Sequence, residues 1–177
     1  MTDELLMQRV KEGDLSQAAV LYRRYHQRIY QYLGKMGGDY TAAEDLTQTV
    51  FEKLINYRQS FNSDQKFENW VFRIARNAFV DQVKLNGKMP KAHHVEIVDL
   101  HNLKEEHEST ADQDALLNKA LNALQPDDRE ILVLTRFEKL KYTEVANILG
   151  ITEANVKVKV FRAIEKLRNQ YFKLSTI

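Results

Sequence analysis

Trp70, Arg73, Asn77 and Lys84 are spaced so that a ring, a guanidinium, an amide and an ammonium share one side of a helix. At about 100° per residue the four fall within roughly 60° of one another. A flat ring stacks on a base, cations meet phosphates and an amide reads a base edge, so the strip suits nucleic acid. A solvated helix face holding a half-buried tryptophan explains the same four residues equally well.

Two other groupings carry chemistry. Asn155, Lys159, Arg162 and Lys166, with Val158 beside them, share an outward helix face. An amide and an apolar group come first and cations follow, which is the order needed by a helix whose first turns reach base edges and whose later turns meet phosphate. Glu44, Gln48, Phe51 and Ile55 form a stripe within about 60° on a third helix. That mixture suits docking of another helix, and packing inside the same bundle is the alternative.

Each grouping needs a helix to position it, and glycine and proline punctuate the chain into helices. A short amphipathic helix spans about Asp3 to Lys11 and closes at Gly13. Leu15, Ala18, Ala19, Tyr22, Ile29, Tyr32 and Leu33 then recur at helical spacing and predict a core face, ending at the Gly34, Gly37, Gly38 cluster. A third helix is expected from Thr41 to Tyr57. A polar loop, RQSFNSDQK, follows, with Ser63 or Asp64 placed to cap a fourth helix from Phe67 to Lys84. That helix is apolar on two faces, so both want burial.

From Asn86 to Asp114 the periodicity stops, and the stretch reads as an acidic linker. Its 29 residues extend to about 100 Å, enough to set two bodies well apart on one duplex. His93, His94, His101 and His107 lie here, but no cysteine joins them and no pair has the i, i+4 spacing of helical ligands, so no metal is expected. Helices return from Asp114 to Leu124 and again at Pro126, with Asp127, Asp128 and Glu130 in the first turn where the macrodipole favours acids. YTEVANILGITEANVKVKVFRAIEKL then reads as helix-turn-helix: Tyr142 to Leu149, a turn at Gly150, and a long second helix capped by Thr152. The fold class is therefore all-α. An N-terminal helical bundle over residues 1–85 and a C-terminal helix-turn-helix domain over 115–177 are joined by the irregular linker 86–114.

Composition narrows the function. The chain has 177 residues, no cysteine and a formal net charge of +1, so there is no disulfide framework or thiolate site and little charge for gripping DNA unaided. The charge is uneven: +1 over 1–85, −4 over 86–114 and +4 over 115–177, counting Lys and Arg against Asp and Glu. No apolar run approaches a bilayer-spanning length and the N-terminus has no apolar signal core, which places the chain in the cytoplasm with no membrane insertion.

AEDLTQTVF at 43–51, FENWVFRIARN at 67–77, and DREILVL followed by the helix-turn-helix occur in that order. With them the chain resembles a bacterial RNA polymerase sigma factor of the extracytoplasmic-function type over nearly its whole length. The resemblance implies that Glu44, Asp45, Gln48, Phe51 and Ile55 dock on the clamp of the polymerase β′ subunit. It implies that the loop and helix bearing Phe61, Asn62, Trp70, Arg73, Asn77 and Lys84 recognise and open the −10 promoter element. Asn155, Val158, Lys159, Arg162 and Lys166 are implied to read the −35 duplex. Core RNA polymerase, through the β′ clamp and the β flap, and promoter DNA are then the partners, with an anti-sigma factor regulating the chain. No cofactor and no enzymatic step are expected. Thr41, Ala42 and Thr49 stand where relatives often carry acids, which lowers the docking charge, and EANVKVK departs from the usual start of the recognition helix. The competing reading is a helix-turn-helix regulator that acts without polymerase.

Overall fold

Local caps set most of the helix ends. The computed structural model describes residues 1–87 and 110–176, all helix or short connection. Thr2 accepts the Leu5 amide and starts α1 (Asp3–Lys11). α2 (Ser16–Gly37) runs past Gly34 and stops where Gly38 turns left-handed at φ 69°. Asp39 accepts the Thr41 and Ala42 amides and starts α3 (Tyr40–Asn56). A single 3-10 turn, Arg58–Ser60, leads into the loop before α4 (Phe67–Asn86). Residues 88–109, which hold most of the expected linker and all four of its histidines, lie outside the described part of the chain.

The second half begins earlier than the linker boundary allows. Thr110 and Gln113 form a reciprocal capping box, so α5 (Ala111–Asn122) already occupies the last residues of the 86–114 span. The S/T-x-x-Q signature was present as TADQ. Pro126 opens α6 (Pro126–Leu132), which continues as a π-helical turn, Val133–Phe137. α7 (Tyr142–Leu149) ends at Gly150, φ 69°, and Thr152 caps α8 (Glu153–Ser175) by accepting the Asn155 amide.

α2, α3 and α4 pack with α1 around Met7, Val10, Leu21, Ile29, Tyr32, Leu54, Phe67, Val71 and Phe72, all withdrawn from water. Ala120, Leu121, Ile131, Val145, Val156, Val160 and Ala163 do the same for α5–α8. Both apolar faces of α4 are covered, as their width required: it packs against α1, α2 and α3, with Phe72 edge-on to Tyr32 of α2 at 5.6 Å, and it also contacts α7. The core face expected of α2 is broader than the real one, because Leu15, Ala19 and Tyr22 lie on the exposed side.

Gly34 shows how tightly α2 and α3 meet. A Cβ built on it lies 2.3 Å from Tyr40 Cε1, inside the ring's van der Waals surface. Gly34→Ala therefore should cost about 1 to 3 kcal/mol, read as a thermal midpoint lower by about 2 to 12 °C, although alanine favours an isolated helix. A midpoint equal to or above wild type would show that Tyr40 swings aside freely.

Candidate nucleic-acid interface and docking face

The four-residue strip on α4 is divided by its surroundings. Asn77 and Lys84 are exposed. Trp70 is 6 % exposed, with its ring edge-on to Phe61 at 5.2 Å and tilted to Phe67 at 6.2 Å. Phe61 is 1 % exposed. Of the two readings of Trp70, the structure shows the ring withdrawn from solvent: it and Phe61 are core residues of an aromatic cluster completed by Tyr25, edge-on to Phe67 at 5.1 Å. Burial in such a cluster is worth more to two large rings than exposure at a loop, which is why sequence spacing alone misplaces them. Asn62 is exposed, and its side chain accepts the Asp64 amide at 3.0 Å, shaping the loop tip.

Arg73 is half-buried because its guanidinium donates to Asn147 on α7. It is one of several cations of the first bundle that groups of the second engage. Arg76 pairs with Glu130 of α6, and Lys66 with Glu144 of α7. Arg28 of α2 donates to Glu68 at 2.6 Å and to Glu138 at 3.1 Å, and its guanidinium lies over the Phe72 ring at 5.2 Å. Burial pushes the Glu130 and Glu138 carboxyls above the usual range even though Arg76 and Arg28 face them. Lys35 is buried at the same junction, its ammonium 5.0 Å from the Phe137 ring, and desolvation pulls its pKa down. A phosphate approaching Arg73 or Arg76 meets a guanidinium already shared with Asn147 or Glu130.

On α8 the expected reading face is present and open. Asn155, Val158, Arg162 and Lys166 are exposed and Lys159 half-buried. Lys166 pairs with Asp128 at 2.7 Å, so it is less available than its neighbours. The structure adds a residue that the spacing argument passed over: Phe161 is 73 % exposed, one turn along from Val158. The available signal was a large ring between the buried positions Val160 and Ala163, about 60° from Val158 on the helical wheel.

The stripe on α3 divides in the same way. Glu44, Asp45 and Gln48 are exposed, Ile55 is half-buried and Phe51 is 8 % exposed. Phe51 thus corrects the picture of a free aromatic knob, because Tyr22 of α2 packs edge-on against it at 4.8 Å. Tyr22 remains substantially exposed and stacks on His26 at 4.9 Å, so the aromatic surface on this side belongs to α2. Among the described residues no group of His, Cys, Asp and Glu is arranged to hold a metal ion, and no helix is long and apolar enough to cross a membrane.

Residues 21–88 match the family described as Sigma-70 region 2, and residues 114–167 match Sigma-70, region 4. The chain is 31 % identical over 168 residues to the ECF RNA polymerase sigma factor SigM of Bacillus subtilis, covering 85 % of this chain and 93 % of that one. Among solved structures it is similar to CnrH, solved in complex with the cytosolic domain of CnrY, with a TM-score of 0.74, 22 % identity and coverage of 94 % and 95 %. It is also similar to the sigma factor RpoE from Bartonella quintana, solved with the anti-sigma factor NepR, with a TM-score of 0.68, 27 % identity and coverage of 89 % and 96 %.

Proposed function

The chain belongs to the extracytoplasmic-function RNA polymerase sigma factors, and on that premise we propose how its parts divide the work of promoter-specific initiation with core RNA polymerase. The first bundle, residues 1–85, docks on the polymerase clamp through Glu44, Asp45 and Gln48, with Phe51 and Ile55 as the packed support beneath them. Its loop at Asn62 and the α4 strip from Arg73 to Lys84 engage the −10 element as it opens. The second bundle, residues 115–177, reads the −35 duplex through Asn155, Val158, Lys159 and Arg162. An anti-sigma factor holds the chain inactive in the cytoplasm, as NepR partners the RpoE relative. The chain itself catalyses no covalent step.

The observation that carries this reading is the pair of matches, region 2 and region 4 in order on one chain. The near-neutral charge supports it as well, since two weak DNA contacts tethered on one polymerase gain effective concentration that neither has alone. Run-off transcription with core polymerase on a library of randomised promoters tests it: core-dependent transcripts from a recurring bipartite sequence are expected. A chain that binds duplex as a dimer and never co-elutes with core polymerase would overturn it.

Phe161 and Arg162 give a contrasting pair of expectations at the −35 face. An exposed ring in a major groove gains contact with thymine methyls, whereas a guanidinium releases counterions. With the polymerase-bound chain, Phe161→Ala should weaken promoter binding about five- to tenfold with no change in salt slope. Arg162→Ala should lower that slope by about one. Equal slopes in both variants would remove Arg162 from the phosphate contacts.

A further inference from the structure

α1 lies before the segment that matches the region 2 family, which starts at residue 21, and no role in DNA contact attaches to it from the sequence. Its position in the fold gives it one. The exposed loop Asn62–Lys66 is bounded by two buried rings, Phe61 and Phe67. At the entry, Lys11 Nζ donates to the Phe61 carbonyl at 2.8 Å. At the exit, Glu4 Oε1 accepts the Phe67 amide at 3.1 Å. Both ends of the loop are thus tied to one helix, more than fifty residues away along the chain for Glu4 and fifty for Lys11.

The exit contact replaces a missing local one. Lys66, at the N-cap of α4, makes no side-chain cap, and the Ser63 or Asp64 cap expected from sequence does not form. Glu4 supplies the acceptor instead, at the helix end where a carboxylate also favours the macrodipole. Gln59 Nε2 donates to the Lys11 carbonyl at 2.9 Å, which ties the 3-10 turn to the same helix. α1 is itself held independently of these contacts. Leu6, Met7 and Val10 are buried, and Asp3 accepts from Tyr25 at 2.6 Å and pairs with Arg24 at 2.5 Å.

We propose that α1 is the base plate of the −10 recognition loop, with Glu4 and Lys11 as positioning residues that fix its two ends. A loop presenting groups to an unpaired base must keep its shape without DNA, because ordering it during opening adds to the barrier. Inside the loop, the Asn62 side chain and carbonyl accept from Asp64 and Gln65 and set the tip. Glu4 and Lys11 set where that tip stands relative to α4. This inference rests on the initiation role proposed above.

Glu4→Ala and Lys11→Met, in the full chain assembled with core RNA polymerase, are to be compared with wild type and with Gln8→Ala. Gln8 lies on the same helix and its side chain reaches Glu12, not the loop. Affinity for core polymerase, measured by competition with labelled wild-type chain, should stay within about twofold in every variant. The rate at which thymines become permanganate-reactive, on a template the wild-type chain opens, should fall about tenfold in Glu4→Ala and Lys11→Met. It should be unchanged in Gln8→Ala. Glu4→Gln keeps an oxygen that accepts the Phe67 amide and should restore opening. Wild-type opening rates in both Glu4→Ala and Lys11→Met would overturn the proposal. So would losses matched by an equal loss of polymerase affinity or of helical signal, since those report a damaged fold. A wild-type chain that opens no template with core polymerase would sink the initiation role, and this inference with it.

Discussion

Arg129→Met should destabilise the protein by about 3 to 5 kcal/mol, the largest single effect expected outside the hydrophobic cores. Arg129 is 7 % exposed and its guanidinium faces main-chain carbonyls. Nε donates to Leu121 at 3.2 Å, Nη1 to Met36 at 2.8 Å, and Nη2 to Asn122 at 2.6 Å and Leu124 at 3.1 Å. Asn122 and Leu124 lie at the end of α5 and in the turn after it, where carbonyls lack a helical partner, and the Leu121 carbonyl accepts from Arg129 in addition to the Leu124 amide. Met36 belongs to the last turn of α2, in the other bundle. One side chain therefore finishes two helices and joins the halves of the molecule.

Methionine fills a similar volume and supplies none of those donors, so buried carbonyls are left without partners. Arg129→Lys is the informative companion. An ammonium keeps the charge but has no planar fork, so it satisfies only part of the set and should lie between wild type and Arg129→Met. Urea unfolding of the three proteins measures this. Equal stability of the lysine variant and wild type would show that charge at the helix ends, not geometry, is what α5 and α2 need.

Trp70→Ala should cost about 3 to 5 kcal/mol, because the ring is buried against Phe61 and Phe67 rather than presented to solvent. The consequence for testing function is direct: the alanine variant lowers promoter opening by unfolding the first bundle, whatever Trp70 does with DNA. Trp70→Phe retains an aromatic ring in the cluster at about 1 to 2 kcal/mol and separates the two effects. If Trp70 meets the −10 strand, Trp70→Phe opens promoters more slowly at full polymerase occupancy. If it only supports α4, opening is unchanged. A Trp70→Ala loss below about 1 kcal/mol by denaturant titration would show that the ring is solvated in solution.

The correction at Trp70 has the same origin as those at Phe61 and Phe51. Helical spacing tells which residues share a face, and Asn77, Lys84, Asn155 and Arg162 do lie exposed on theirs. It does not tell which of two apolar faces is covered by a neighbour, nor that Tyr22, twenty-nine positions earlier, covers Phe51. Large rings gain most from burial, so they are the residues whose exposure is least readable from periodicity. Phe161 is the opposite case, a ring left in water on the face where DNA contact is proposed.

What the sequence determined by itself were features whose cause is local. Gly38 and Gly150 end helices because the next step is left-handed, Thr152 starts one because its hydroxyl meets an amide three residues on, and Pro126 opens another. Apolar periodicity fixed the all-α class, and the order of three motifs fixed the family. Tertiary structure alone decided how the loop before α4 is held and how the two bundles meet. Glu4 caps α4 from 63 residues away, Arg129 reaches Met36 across 93, and Arg28 reaches Glu138 across 110. Caps and periodicity act over three or four residues and leave a mark in any short window, whereas these contacts depend on where folding brings distant helices together.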